Sequence, residues 1–298
     1  MIRFAVFTDL HYDYIPDGEQ RLNEFIDSIQ GENLDFIISL GDLCHPIDEY
    51  KVILTKLRKL NIPLYFLMGN HDSDMFPQEQ WKKFVGVKES YQSFVIDNTK
   101  FIMLNSCYMK HQNEFRCYYK RNYTKKEDLY PIIPNFEINW LKNEMMREDL
   151  NYVIFSHHSL VNEFVDRGIK NRSEIQEILS SRRTILCMNG HDHGQGCKII
   201  RNIPYYTLNS MSYIWHGLKK IYSYPQDIHD KYPGLEDIIL YKNELHCIVQ
   251  IKEHSISIKG MQGAYKDIRP EDVGITNRSW NGVSIEPGVL DFKNEIEI

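Results

Sequence analysis

Eight polar side chains close five apolar runs in this chain, and their types are those that hold metal ions and move protons. The runs read RFAVFTDLH, LDFIISLGD, IPLYFLMGNHD, NYVIFSHH and RTILCMNGHDH; they supply Asp9, His11, Asp42, Asn70, His71, His157, His191 and His193. Any one fragment alone reads as a turn, a helix cap or a surface histidine. Together they offer a complete donor set. Asp9, His11, Asp42, Asn70, His157, His191 and His193 present oxygen and imidazole nitrogen and no sulfur. That set suits Mn, Fe or Zn and disfavours a thiolate-rich structural zinc site. Seven donors exceed what one tetrahedral ion uses. Two ions roughly 3.5–4 Å apart, sharing a bridging carboxylate, use them all. Such a pair clamps the attacking and leaving oxygens of an in-line displacement and makes hydroxide available at neutral pH. This is the chemistry of phosphoester hydrolysis.

Donors so far apart in sequence meet only if the strands carrying them lie side by side. In open α/β sheets, ligands bind outside the carboxyl ends of the strands. Strands are expected at Arg3–Thr8, Phe36–Leu40, Leu64–Met68, Tyr152–Phe155 and Thr184–Met188. Between them, Gln20–Gln30 and Lys51–Leu60 carry apolar residues at helical spacing, so the first hundred residues read as βαβ repetition and a parallel sheet. Ser93–Ile96 and Lys100–Leu104 flank Asp97-Asn98 as a hairpin. Phe136–Met146 is expected as a helix with Phe136, Trp140, Leu141 and Met145 on one face. Ser173–Ser181 is expected as a helix capped by Ser173. After His193 the pattern turns to strands at Lys198–Ile200, Tyr205–Leu208, Leu245–Ile251 and Ser255–Ile258. Residues 1–259 read as one domain. Residues 260–298 read as an irregular extension packed on it through Tyr265, Trp280, Val289 and Phe292.

The bulk properties bound the partners. With 298 residues, 42% of them hydrophobic, the chain can build a large core, and a formal net charge of -6 disfavours nucleic acid as the partner. No apolar stretch approaches the ~20 residues needed to span a bilayer, and no signal core precedes the first strand. The six cysteines form no C-x-x-C pair; they read as reduced thiols in a cytoplasmic protein. Cys44, two residues past Asp42, is the one cysteine that could face the site. A homo-oligomer is compatible with this composition.

The ordered blocks Asp9-Leu10-His11, Gly41-Asp42, Gly69-Asn70-His71-Asp72, His157 and Gly190-His191-Asp192-His193 resemble those of the calcineurin-like metallophosphoesterases. The resemblance covers about residues 1–210, and the D-x-H opening with G-H-x-H closing is similar to the class III cyclic nucleotide and glycerophosphodiester phosphodiesterase branch. It implies a four-layer α-β-β-α sandwich of two mixed sheets with flanking helices. It implies that Asp9, His11 and His193 hold one ion, that Asn70, His157 and His191 hold the other, and that Asp42 bridges them. His71 would then sit over the phosphate and protonate the leaving oxygen, with Asp72 orienting its ring. His157 is preferred to His158 as ligand because it comes first after the strand; His158 then faces the substrate or supports a ligand.

Other residues remain open on sequence alone. His45 is either a phosphate contact or a loop histidine capping the next helix. His216 is either a site contact or a surface residue. The stretch 107–134 interleaves Lys110, Arg116, Lys120, Arg121, Lys125 and Lys126 with six aromatic residues and shows no regular period. It is either a lid that grips phosphate and stacks on a base or sugar, or a solvated loop. The expected activity is hydrolysis of a small-molecule phosphodiester or nucleotide-like ester. A phosphomonoesterase, including a protein phosphatase, is the alternative, and a non-catalytic scaffold of the same fold is the remote one.

Overall fold

Alternating apolar runs and amphipathic stretches produce the elements in the expected order. The computed structural model describes residues 1–124, 127–164, 167–218, 224–280 and 282–296. The first part runs β1 (Ile2–Phe7), α1 (Gly18–Ile29), β2 (Phe36–Ser39), α2 (Lys51–Arg58), β3 (Leu64–Phe66), α3 (Gln78–Val85), β4 (Gln92–Ile96) and β5 (Thr99–Leu104). A small hairpin follows, β6 (Tyr108–His111) and β7 (Glu114–Cys117), then α4 (Asn135–Glu144), β8 (Asn151–Ser156), α5 (Arg172–Ser180) and β9 (Thr184–Asn189). The remainder is β10 (Gly196–Ile200), β11 (Ile203–Thr207), β12 (Tyr213–Trp215), α6 (Gln226–Lys231), β13 (Ile238–Leu240), β14 (Cys247–Lys252), β15 (Ser255–Gly260), β16 (Ser279–Trp280), β17 (Val283–Ser284) and β18 (Phe292–Glu295).

Two six-stranded mixed sheets form, in the orders β18-β15-β14-β1-β2-β3 and β10-β11-β9-β8-β5-β4. The second has a parallel centre and antiparallel edge strands, whereas the first is parallel from β1 to its edge at β3 and antiparallel on the other side. β1, β2 and β3 run parallel, as do β5, β8, β9 and β11. The strands alternate which side chains face each neighbouring layer, and three apolar layers result. Phe4, Val6, Phe36, Phe101, Val153, Phe155, Leu186 and Val249 fill the space between the sheets. Ala5, Phe7 and Ile37, on the other face of the first sheet, meet Leu22, Phe25, Ile53 and Leu57 of α1 and α2. Ile102, Tyr152 and Ile154 of the second sheet meet Ile138, Leu141, Ile175 and Leu179 of α4 and α5. The architecture is therefore helix, sheet, sheet, helix.

The residues after β15 contribute β18 to the edge of the first sheet and Val273, Ile275, Ile285 and Val289 to the intersheet core. Three local expectations are corrected. In α4 the buried face carries Glu137, Ile138 and Leu141, while Phe136 is 48% exposed. Glu137 turns inward, where its carboxyl Oε1 accepts the Asn105 N–H at 2.7 Å. α5 starts at Arg172 with Asn171, not Ser173, in the capping position. The Asn171 side chain instead bonds Ile133, donating to its carbonyl and accepting its N–H. Within 107–134, where no period was expected, β6 and β7 pair as an antiparallel hairpin. Lys125 and Lys126 lie outside the described residues, as does the side chain of Trp280. Among the described residues, no helix is long and apolar enough to cross a membrane.

Candidate metal centre and active site

The turns that end β1, β2, β3, β8 and β9 open onto one edge where the two sheets meet. Five of their residues, Asp9, His11, Asp42, His191 and His193, adopt positive φ between 47° and 64°. Left-handed backbone is disfavoured for side chains other than glycine, and it clusters where function dictates geometry. Two of the turns also bring backbone close to a neighbouring carboxylate, Asp42 at Gly69 and Asp9 at Gly190. A Cβ at Gly69 would come within 2.1 Å of Asp42 Oδ1, and one at Gly190 within 2.0 Å of Thr8 Oγ1. Glycine before Asn70 and before His191 is therefore a packing requirement.

The two central carboxylates share one design. Asp9 Oδ2 accepts Thr8 Oγ1–H at 2.6 Å and the His191 N–H at 3.0 Å. Asp42 Oδ1 accepts the His71 N–H at 2.8 Å. Their other oxygens, Asp9 Oδ1 and Asp42 Oδ2, are buried without a hydrogen-bond partner. Asp9 Oδ1 lies 3.2 Å from His193 Nε2 and 3.7 Å from His11 Nε2. Asp42 Oδ2 lies 3.3 Å from His157 Nε2 and 3.6 Å from His11 Nε2. His11 Nε2 and His193 Nε2 are themselves 3.3 Å apart, and Asn70 Oδ1 is 3.2 Å from His157 Nε2. Burial alone would raise both carboxyl pKa values. His193 and His11 beside Asp9, and His157 beside Asp42, hold them below the ordinary carboxylate range. Bare carboxylate oxygens facing imidazole nitrogens are what cations satisfy. The groups Asp9, His11, His193 and Asp9, Asp42, His157 each bring their donor atoms within 4.8 Å of one another. The donor set thus fits metal ions. His157 faces this cluster through Nε2, its Nδ1 bonding the Leu40 carbonyl at 2.8 Å. His158 engages Ser106 Oγ through Nδ1 at 2.8 Å.

The carboxylate beside His71 is not the expected one. His71–Ser73 form a 3-10 turn, with three residues per turn, so residue i+3 shares the face of His71. Asp74 Oδ2 therefore sits 2.6 Å from His71 Nδ1, while Asp74 Oδ1 accepts Tyr118 O–H at 2.6 Å. Asp72 points inward and accepts the N–H groups of Asp42, Leu43, Cys44 and Gly69, tying the second and third turns together. Burial disfavours a charged His71, but Asp42 and Asp74 outweigh it and raise its pKa to about 9. The sequence signal for Asp74 was its spacing within one turn of His71.

A cavity of about 520 Å³ opens over the cluster. Its floor includes Asp42, Asn70, His71, His191 and His193; its walls include Tyr14, Tyr213 and Trp215. Tyr118, Arg121, Tyr123 and Thr124 of the 107–134 stretch form another wall. Arg121 lies 3.4 Å from Asp74 Oδ2, and Arg167 donates to the His191 carbonyl at 3.0 Å. Arg167 and Tyr213 carried no motif and were missed from sequence. His45 lines a smaller adjoining cavity with His71 and Asp74, its Nδ1 held by Asp13 at 2.5 Å. Cys44 lines the same small cavity, and burial raises its thiol pKa. His216 does not line the main cavity; it is buried behind Trp215 in the chain, and its Nδ1 accepts the Leu218 N–H.

The stacked pair of mixed sheets, with helices outside, is the metallo-dependent phosphatase fold. The chain belongs to the calcineurin-like phosphoesterase family, whose profile matches residues 2–195. Among solved structures it is similar to a dimetal phosphatase from Danio rerio, at 13% identity and TM-score 0.61, covering 88% of this chain and 96% of that one. It is also similar to GAP50, the anchor in the inner membrane complex of Plasmodium, at 12% identity and TM-score 0.53, covering 87% of this chain and 84% of that one. At such identities the likeness is one of fold. No curated protein matches the chain.

Proposed function

We propose that the protein is a dinuclear metal-dependent phosphohydrolase acting on a phosphodiester or nucleotide-like phosphate ester. The observation that carries this reading is the pair Asp9 Oδ1 and Asp42 Oδ2, buried, bare and ringed by imidazole nitrogens. Asp9, His11 and His193 would hold one ion, Asn70, His157 and His191 the other, with Asp42 between them. Ions held there would supply an activated water and neutralise charge developing on the phosphoryl oxygens. His71, with Nδ1 engaged by Asp74, is left to give a proton to the departing oxygen from Nε2. Asp72 fixes the Asp42 turn. Tyr14, Tyr118, Tyr123, Tyr213 and Trp215 give the cavity flat apolar faces suited to a base or sugar. The six cysteines are unpaired, which fits a cytoplasmic setting.

Arg121 and Arg167 favour a second reading, a phosphomonoesterase, because two guanidinium groups suit a dianionic terminal phosphate. Steady-state hydrolysis of a chromogenic phosphodiester and its monoester counterpart, with added Mn²⁺ and after chelation, separates the two. A higher kcat/KM on the diester, lost on chelation, supports the first reading. Monoester preference moves the assignment to the second. Metal-independent behaviour toward both would remove the dinuclear mechanism.

A further inference from the structure

His158 is wholly buried in the turn after β8, yet the seven-donor scheme gives it no task. Its Nε2 is buried with no hydrogen-bond partner. An unmatched buried polar atom is costly, so a ring kept there needs a reason. Ring nitrogens of His157, His158 and His191 lie within 4.8 Å of one another, and the His158 and His191 ring centroids are 4.3 Å apart. Histidines that bind metal through one nitrogen hold the other nitrogen on an oxygen. His157 does so with the Leu40 carbonyl at 2.8 Å, and His193 with the Tyr213 carbonyl at 2.9 Å. His158 repeats the pattern, with Nδ1 2.8 Å from Ser106 Oγ. The Ser106 hydroxyl also accepts the His158 backbone N–H at 3.1 Å, so it fixes ring and turn together.

We propose that His158, through Nε2, is an additional protein ligand of the second ion, making a three-imidazole cradle with His157 and His191. This inference rests on the dinuclear reading above. It gives the two positions different chemistry. The first keeps the carboxylate of Asp9 and shares that of Asp42, a donor set that Mn accepts. The second becomes imidazole-rich, which favours Zn or Fe.

The test is Co²⁺ titration of chelator-stripped protein, followed by visible absorption and calorimetry, in the wild type, His158→Gln and Ser106→Ala. Wild type should take up two ions. His158→Gln should keep the first binding step, weaken the second at least tenfold, and change the Co²⁺ spectrum of that step only. Ser106→Ala should weaken the same step by a smaller factor, within the range of about 10–100-fold seen for groups that support ligands. Unchanged second-site affinity and spectrum in His158→Gln overturn the proposal while leaving the dinuclear reading intact. Uptake of a single ion by wild type overturns the dinuclear reading itself. Should His158→Gln fail to fold, paramagnetic NMR of Co²⁺-loaded wild type decides. One more shifted ring N–H than His11, His157, His191 and His193 supply supports His158 as ligand; no additional signal overturns it.

Discussion

Replacing Asp74 should slow turnover without displacing metal, because Asp74 touches His71 and none of the candidate ligands. Its carboxylate sits 2.6 Å from His71 Nδ1 and helps raise that ring's pKa to about 9. A hydrogen bond to a charged group is worth about 1.5–3 kcal/mol, or roughly one to two pKa units. Asp74→Asn should therefore lower the His71 pKa by about one to two units. A shift of two units lowers the protonated fraction by at most about 100-fold at any pH, so a larger loss reports misorientation of the ring. Asp74→Ala removes the hydrogen bond outright and should approach the about 10²–10⁴-fold that a positioned histidine contributes. Cations beside Asp42 cancel that carboxylate's upward pull, which makes Asp74 the main anion holding the proton in the loaded protein. The pH profile carries the sign. A histidine acting as an acid is competent below its pKa, so activity declines as pH rises through it, and Asp74→Asn should move that alkaline limb about one to two units lower. The assay is kcat against pH on a diester with a poor leaving group, alongside metal content by mass spectrometry. An alkaline limb that stays in place, with turnover of Asp74→Ala within twofold of wild type, would remove both residues from proton transfer.

Three further outcomes are expected. Asp42→Asn should bind fewer than two ions per chain and lose at least about 100-fold in activity, since even groups that merely support ligands are worth 10–100-fold; full metal occupancy by mass spectrometry would contradict its bridging place. Arg121→Ala should raise KM for a monoester about fivefold or more and leave a neutral-tailed diester within twofold, because charge-assisted contacts to a dianion are the stronger; equal effects on both substrates would deny Arg121 a selective role. Glu137 is wholly buried, and burial pushes its carboxyl well above its ordinary value of 4.5. The folded chain thus keeps a proton that the unfolded chain releases, so stability present below about 4.5 declines as pH rises toward the folded pKa. Glu137→Gln should raise Tm by about 2–4 °C at pH 8, flatten the pH dependence above pH 5, and have little effect at pH 4; the same Tm shift at both pH values would point to packing instead.

The strand ends were legible in sequence because each apolar run finishes in a polar donor, and parallel pairing of the strands that carry them brings those ends together. Asp9, His11, Asp42, Asn70, His157, His191 and His193 converge for that reason. Residues that reach the cavity from elsewhere left no such mark. Arg167 arrives from the connection between β8 and α5, and Tyr213 from the start of β12; their positions depend on how the sheets stack. Asp74 could be found only by treating the residues after Asn70 as a helical turn. Phe136 misled because helical spacing fixes a face but not which face turns inward, and Glu137, which accepts the Asn105 N–H, lies on the buried one. The sheet edge at β18 depends on a pairing with β15 across more than thirty residues, which periodicity does not report.

Five donor-bearing residues hold left-handed backbone. At roughly 1–2 kcal/mol each, they take up a sizeable part of the ~5–15 kcal/mol by which a typical domain stays folded. Bound ions return that energy by mass action. The chain's lifetime in a cell should then follow metal supply. A molecule that has not acquired its ions opens more often at this edge, and quality-control proteases would clear it first. Pulse proteolysis of stripped and loaded protein measures the coupling directly; equal cleavage of both would mean that the turns are held by the fold alone.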